Sequence, residues 1–402
     1  MSTSYFLHTA NTSFPNRAVE KVLGYLHRLV AAGTGSSAHL AATAARGGPA
    51  YRHLGLMASV ALSRLECLLG DYTSSLLALG PIFDPSAPMI PVGDGGEMRT
   101  AEEVVQSVIP ARISMSYHAG VSYLLLRRYR DAAATLGSIG TYMQRGFKTG
   151  QLRGSAATDQ YGRQYDRVLA LLAILGHVCP HLLADAGVVE DSVARIVRER
   201  HASQLTKIES GEEGYEELFV FACPKFISAN VPDYNRVLIG GGDAKEGSDV
   251  PTGQDAYRRQ VRHFTSEMDV QSTLRKLRSY MRLYTSIDVG KLAAFNDVKA
   301  EDLGPLLLTY KHKTRQLQCT TTGGKDAEAD PAAPDAAATT KSGPAGGLIG
   351  DAALDVHYYV NDTMVHVEEA EQRQRRFESY FLGQMEQNAE ILRDAEDIDT
   401  VV

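Results

Sequence analysis

Residues 51–79 read YRHLGLMASVALSRLECLLGDYTSSLLAL, with Leu54, Met57, Leu62, Leu65 and Leu69 recurring every three to five positions. That spacing predicts a helix stripe. Gly70-Asp71 interrupts it before a second apolar run through Leu76, Leu77 and Leu79, so the stretch is expected to form two antiparallel helices joined by a short turn. Residues 116–139, SYHAGVSYLLLRRYRDAAATLGSI, repeat the arrangement at an offset of 57: Leu125-Leu126-Arg127-Arg128-Tyr129 stands where Leu68-Leu69-Gly70-Asp71-Tyr72 stood, and Leu136 where Leu79 stood.

In the second copy Gly120, Tyr123, Ala132 and Leu136 hold the relative spacing of the small and aromatic positions in tetratricopeptide-like repeats, where a small residue lets one helix approach the next. An offset of 57 is not the regular 34 of such arrays, so irregular helix pairs stacked side by side are expected. Gln164 to Cys179 carries the run VLALLAIL and reads as a helix buried on most sides, and Val189 to Lys207 as one amphipathic helix. A Gly-rich, charged stretch from Pro232 to Gln254 reads as a surface loop. It lacks a following Gly-Lys-Ser/Thr and a preceding strand, so a phosphate cradle is not expected there.

Two further helices are expected at Tyr257 to Phe264 and Val270 to Tyr284, the second with Leu274, Leu277, Met281 and Tyr284 on one face. Arg275, Arg278 and Arg282 align on its other face. Ser286 reads as the cap of a short helix, SIDVGKLAAF, with Val289, Leu292 and Phe295 as its apolar face. A longer helix follows, from Lys299 through Leu303, Leu306, Leu307 and Tyr310 to Lys311-His312-Lys313. Short helix, turn and longer helix form the first half of a winged helix. A hairpin at Asp355 to Glu368, turning at Asn361-Asp362, supplies the second half, with Val356, Tyr358, Val365 and Val367 on one face. Thr320 to Gly347 contains no Val, Ile, Leu, Met or aromatic residue and reads as a disordered insertion. Glu368 to Ala395 reads as a polar helix with Phe377, Tyr380, Phe381, Met385, Ile391 and Leu392 on one stripe that wants a partner.

The expected architecture is therefore mainly α, with stacked tetratricopeptide-like helical repeats followed by a winged-helix subdomain, its β-hairpin and a long C-terminal helix. The corresponding segments are 1–50, helical and partly flexible; 51–255, the repeat array; 256–368, the winged-helix region with the insertion 320–347; and 369–402, the terminal helix with an acidic tail. A chain of 402 residues can bury a substantial core, and 44% apolar with 22% charged residues is ordinary for a soluble protein. Its longest apolar run, Val168 to Leu175, is far short of the roughly 20 residues of a membrane span, and the N-terminus has no signal-peptide pattern. Cys67, Cys179, Cys223 and Cys319 form no CxxC pair, which fits a reducing, cytoplasmic setting and buried structural thiols.

Catalytic patterns are thin. Pairing about Asn361-Asp362 would set His357 opposite His366, but no third metal ligand accompanies them. Glu212-Glu213 and Glu216-Glu217 lie in a charged run whose neighbours point apart on a helix, a poor arrangement for acid/base work. No GxSxG, HExxH or Walker pattern occurs, so the chain reads as non-enzymatic and free of cofactor or metal. Charge is distributed unevenly. Tyr257 to Gln316 holds twelve Lys and Arg against six Asp and Glu, a local +6 inside a chain of −7. Phosphate contact through Arg275, Arg278, Arg282, Lys311 and Lys313 is one reading of that patch, and pairing with acidic surfaces is the other.

Helical repeats running into a winged helix and closing on one long helix resemble the PCI-domain family, whose members scaffold the proteasome lid, the COP9 signalosome and eukaryotic translation initiation factor 3. Tyr215-Glu216-Glu217-Leu218-Phe219, Cys223-Pro224-Lys225-Phe226 and Pro232-Asp233-Tyr234 are similar to the signature of the subunit L family of that initiation factor. Leu277-Arg278-Ser279-Tyr280, Leu283 to Ile287, Lys291 to Phe295 and Lys311-His312-Lys313 extend the similarity. Most of the family's long N-terminal region has no counterpart in the chain, and the insertion 320–347 replaces a shorter connection. The resemblance implies a non-catalytic scaffold subunit joining other PCI subunits edge to edge through its winged helix, with Tyr359 and Met364 on the hairpin at the contact. It implies that the terminal stripe of Phe377, Tyr380, Phe381, Met385 and Leu392 enters a shared helical bundle, with subunits K and E and the PCI/MPN core as partners. The assembly would act on the small ribosomal subunit, with ribosomal RNA contact and no membrane. A proteasome-lid or signalosome subunit and a free RNA-binding winged-helix module are the alternatives.

Overall fold

The computed structural model describes residues 16–34, 38–84, 89–92, 97–152, 158–180, 183, 189–209, 214–227, 255–314, 317–318, 347–348, 356–369 and 385. It is mainly helical with short antiparallel strands. The chain divides into two compact units, one of residues 1–272 with 316–349 and one of 273–315 with 350–402.

In the first unit α1 (Asn16–Thr34) packs on α2 (Ala38–Leu69), followed by α3 (Tyr72–Leu77), α4 (Gly80–Phe83), a ribbon of β1 (Ile90–Val92) and β2 (Glu97–Arg99), and α5 (Ala101–Ser107). Then come α6 (Ile109–Leu125), α7 (Tyr129–Thr149), α8 (Thr158–Val178), α9 (Asp191–Arg200), α10 (Ala202–Glu209) and α11 (Gly214–Ala222). The 57-residue repeat is visible in the backbone. Gly70 and Arg127, equivalent in the two copies, both take positive φ, +88° and +61°. Each is followed by the same closing bonds: Gly70 N–H to Cys67 O and Asp71 N–H to Glu66 O in one, Arg127 N–H to Leu124 O and Arg128 N–H to Tyr123 O in the other. Both are helix C-termini ended by a left-handed residue, a conformation that favours glycine and that Arg127 adopts without it. Tyr72 and Tyr129 open the next helix in each copy. Gly120 is the close-approach point expected of it, because a Cβ there would stand 2.5 Å from Leu136 Cδ2.

Three expectations for this unit change. In α2 the buried residues include Gly55, Leu56, Ala58, Ser59, Val60, Leu62, Ser63 and Cys67, whereas Leu54 is 48% exposed. Contact with α1, α3 and α6 widens and rotates the buried arc, and small residues fill it. The Ser63 and Ser122 hydroxyls lie 3.1 and 3.2 Å from that of Ser75, so polar groups buried there stay hydrogen-bonded. Val189 to Lys207 is not one helix. His201, at φ −108°, separates α9 from α10. Between Tyr257 and Tyr284 the two expected helices are one, α12 (Asp255–Met281). No Gly or Pro stands between them, Met268 is 1% exposed, and Gln271 donates to Glu267 at 3.0 Å across the expected break. As expected, α8 buries Val168 to Leu175 completely.

The second unit is a winged helix. The end of α12 is followed by β3 (Ser286–Asp288), α13 (Val289–Phe295), α14 (Ala300–Thr314), β6 (Val356–Asn361) and β7 (Met364–Glu369). The sheet order is β3-β7-β6, all antiparallel. Ser286 therefore lies in a strand rather than capping the helix, and the cap is Asp288, which accepts from Lys291 N–H at 3.2 Å. Three residues were too few to show strand alternation in the sequence. The hairpin turns at Asp362-Thr363, one position beyond the expected turn, with Asp362 at φ +50°. Asp tolerates the left-handed region and accounts for the shift. His366 then stands opposite Tyr359, and His357 opposite Glu368, so the expected His357 and His366 pair does not form. The same-face grouping survives because the shift is two residues in register; Val356 and Val365 are 3% and 0% exposed. The core is completed by Leu277, Met281, Ile287, Leu292, Leu303, Leu307 and Tyr310.

The loop expected at 232–254 lies outside the described residues, as does the insertion apart from Gly347, which with Leu348 forms β5 and pairs with β4 (Leu317–Gln318). Of the expected terminal helix, Phe377, Tyr380, Phe381, Ile391 and Leu392 also lie outside them, while Met385 is helical and 67% exposed.

Candidate interaction surfaces

Two kinds of residue stood out in the sequence, and the structure separates them. The signature Tyr215 to Phe219 with Cys223 to Phe226 is interior. Phe219 stacks on Phe264 with ring centroids 3.9 Å apart and planes 10° apart, both rings nearly inaccessible. The Tyr215 hydroxyl is hydrogen-bonded to His177 Nδ1, and Tyr117 donates its hydroxyl to Ala222 O at 2.5 Å. Phe226 meets Tyr72 edge-on at 6.4 Å, and Ile227 N–H donates to Leu68 O. These residues tie α11 and α12 back to the first helix pair. Glu216 and Glu217, by contrast, are exposed, and Glu217 pairs with Lys207 at 3.1 Å. Cys67 and Cys223 are buried, which pushes their thiols up to about 12 and about 11 and leaves them protonated at neutral pH. Cys179, at the end of α8, is half-buried.

The winged-helix unit carries the exposed candidates. Among the described residues β6 is an edge strand, and its Tyr359 and Val360 are 52% and 50% exposed. Tyr359 stacks on His366 across the ladder at 5.0 Å, and Met364 is half-buried beside the turn. The inner face is anchored where Tyr358 donates its hydroxyl to Leu307 O at 2.5 Å; burial pushes that phenol up to about 12. An edge of this kind offers unpaired backbone groups together with side chains to a second strand.

An exposed apolar surface, which includes Tyr284 and Phe295 of the expected apolar faces, lies nearby in the chain. Tyr284 is 41% exposed, Phe295 43% and Leu283 74%. Phe295 stacks on Tyr280 at 5.3 Å and on Tyr284 at 6.3 Å, planes within 26°. The helix ends at Met281, so Tyr284 leaves the stripe it would have shared with Leu274, Leu277 and Met281. The Tyr280 and Tyr284 spacing of four was the signal that could have found the stack.

Of the basic candidates, Arg275 and Arg278 are half-buried on α12 and each engages a neighbouring group; Arg282 follows the helix end and is exposed. Lys311 is exposed and Lys313 half-buried on the last turn of α14, both likewise engaged. The outward residues of α14 run from Glu301 and Asp302 through Gly304, Pro305 and Leu308 to Lys311 and His312. A helix that reads a DNA groove contacts bases with its N-terminal residues, and here those are acidic. That polarity suits a protein surface better than a groove. Among the described residues no group of three or more His, Cys, Asp or Glu could hold a metal, and no helix is long and apolar enough to cross a membrane.

Residues 9–388 match the family described as RNA polymerase I-associated factor PAF67. Similar proteins named eukaryotic translation initiation factor 3 subunit L come from distant eukaryotes. That of Mycosarcoma maydis is 31% identical over 297 residues, 72% of this chain and 40% of the relative. For Nematostella vectensis the values are 28% over 352 residues, 86% and 56%, and for Homo sapiens 27% over 346 residues, 85% and 51%. The chain thus spans about half the length of the curated relatives it matches.

Proposed function

We propose, for a chain that belongs to the family of RNA polymerase I-associated factor PAF67, a non-catalytic scaffold role as a subunit of eukaryotic translation initiation factor 3. The observation that carries the reading is the open edge of a small winged-helix sheet. Among the described residues β6 has a hydrogen-bonded neighbour on one side only, and its Tyr359 and Val360, on opposite faces, are half exposed. A protein gains stability from a partner that completes such an edge. The names of the relatives favour the initiation factor over the proteasome lid or the signalosome.

In this reading the hairpin edge, with Tyr359 and Met364, pairs with a neighbouring PCI subunit, and Phe377, Tyr380, Phe381, Met385 and Leu392 enter a helical bundle shared with subunits such as K and E. The complex works on the small ribosomal subunit in the cytoplasm. Arg275, Arg278, Arg282, Lys311 and Lys313 contribute phosphate contacts that position the complex without reading sequence. The test is affinity purification of the tagged chain with Tyr359→Asp and Val360→Pro together. Proline removes an edge donor and the aspartate charges the surface. The reading predicts loss of the initiation factor subunits from the eluate, with the helical circular dichroism signal of the purified chain unchanged. Recovery of those subunits at the yield of the unsubstituted chain would refute edge pairing.

A further inference from the structure

The repeat unit holds an open concavity with a volume of about 290 Å³. One wall is a stripe along α7 of Gly137, Ser138, Thr141, Tyr142 and Arg145; Arg112 of α6 and Glu190, before α9, complete it. The opposite face of α7 buries Ala132, Ala133, Leu136, Ile139 and Met143, which fixes the stripe toward solvent. Three features give the concavity a chemistry. The Arg112 guanidinium carbon lies over the Tyr142 ring, 3.8 Å from its centroid, and no ion pair of this arginine with a carboxylate occurs among the described residues. A cation–π contact of this kind restrains the group without using up its N–H donors. Gly137, itself buried, lines the concavity without adding a side chain to it.

The third feature is a carboxylate already seated there. Glu190 accepts from Ser192 Oγ at 3.0 Å and from Arg145 Nη2 at 2.9 Å, and from Thr141 as well. The Ser192 hydrogen bond foremost, with Arg145 and Thr141, outweighs the opposing desolvation and holds its pKa below the usual carboxylate range. The groove is thus shaped to hold a planar two-oxygen anion, and it carries one more arginine than the internal carboxylate uses.

We infer that this groove docks an acidic peptide segment of a partner protein, with Arg112 taking a ligand carboxylate and Arg145 shared between the ligand and Glu190. A carboxylate on a chain fits better than a free anion because the concavity is open and its lining runs along α7 from Gly137 to Arg145, with the exposed Ser138 on the way. Glu190 acts as an internal competitor. Removing it should strengthen binding, an effect that a merely structural role for the residue would not produce.

The experiment is fluorescence anisotropy of the full chain with a fluorescein-labelled ten-residue peptide alternating Asp or Glu with Gly. Losing one charge-assisted contact in Arg112→Ala should weaken binding by about ten-fold or more, and Glu190→Gln should tighten it several-fold. Melting temperatures of both variants guard against misfolding. Absence of binding, binding indifferent to Arg112→Ala, or weaker binding by a folded Glu190→Gln chain would overturn the inference. So would complete displacement by inorganic phosphate at a matching concentration of negative charge, which would show a simple anion site.

Discussion

Replacing Phe219 by Ala removes one partner of a closed ring pair in the segment that carries the family signature. Phe219 is 0% and Phe264 2% exposed, and the rings lie 3.9 Å apart at 10°. With Leu218 and Ala222 buried on the same helix, the site has little freedom to collapse, so the cost should reach the usual range for Phe→Ala in a core, about 3–5 kcal/mol. A native domain has only about 5–15 kcal/mol to lose, so this is a large fraction. At about 2–4 °C per kcal/mol for a unit of this size, the melting temperature should fall by roughly 10 °C. The control sits two residues away: Phe221 is 53% exposed on the same short helix, and Phe221→Ala should stay within about 0.5 kcal/mol. Scanning calorimetry of the two variants at equal concentration reads both. A loss below about 1 kcal/mol for Phe219→Ala, or equal losses for the two, would refute the view that the signature is an internal tie.

Arg128 is 2% exposed, pairs with Asp131 at 2.6 Å and lies over the Tyr123 ring; Arg128→Ala should cost about 3–5 kcal/mol in urea unfolding, and Arg128→Met with Asp131→Leu less, because the double change leaves no orphaned charge. Burial pushes His118 down to about 4, against an ordinary value of 6.5, although its Nδ1–H donates to Ser114 O at 2.7 Å. The unfolded chain therefore binds the extra proton between those values, so stability present above pH 6.5 should decline as pH falls toward 4, by up to about 3 kcal/mol. His118→Gln, which keeps a donor and does not titrate, should flatten that part of the stability profile; an unchanged slope would assign it to other groups. Cys67 and Cys223 should resist iodoacetamide at pH 8 in the native chain and react fully in guanidinium, as read by mass spectrometry.

The helix pairs were legible because their spacing and their breaks are local. Gly70-Asp71 and Arg127-Arg128 ended helices at equivalent places, and Gly120 announced a close crossing that Leu136 confirms. The rest depended on long-range partners. Ser286 to Asp288 becomes a strand only because β7, about 80 residues later, supplies its ladder, and nothing in three residues reveals that. The hairpin turn moved because Asp362, not Asn361, takes the left-handed position. Exposure was hardest to read. Tyr284 and Phe295 looked interior by pattern, yet they stack beyond the helix end, while the signature at Tyr215 to Phe226 proved to be mostly core. The groove of Arg112, Tyr142, Arg145 and Glu190 drew no notice because its members come from three separate elements and match no motif.

Membership of a large assembly is the property on which the role of the chain turns. Sucrose-gradient sedimentation of the tagged chain in lysate from its own cells, with mass spectrometry across the fractions, measures this in one run. The scaffold reading predicts migration far heavier than 43.6 kDa, together with initiation factor 3 subunits and small-subunit ribosomal proteins. A peak at the mass of the isolated chain, or migration with proteasome-lid or signalosome subunits, would contradict it.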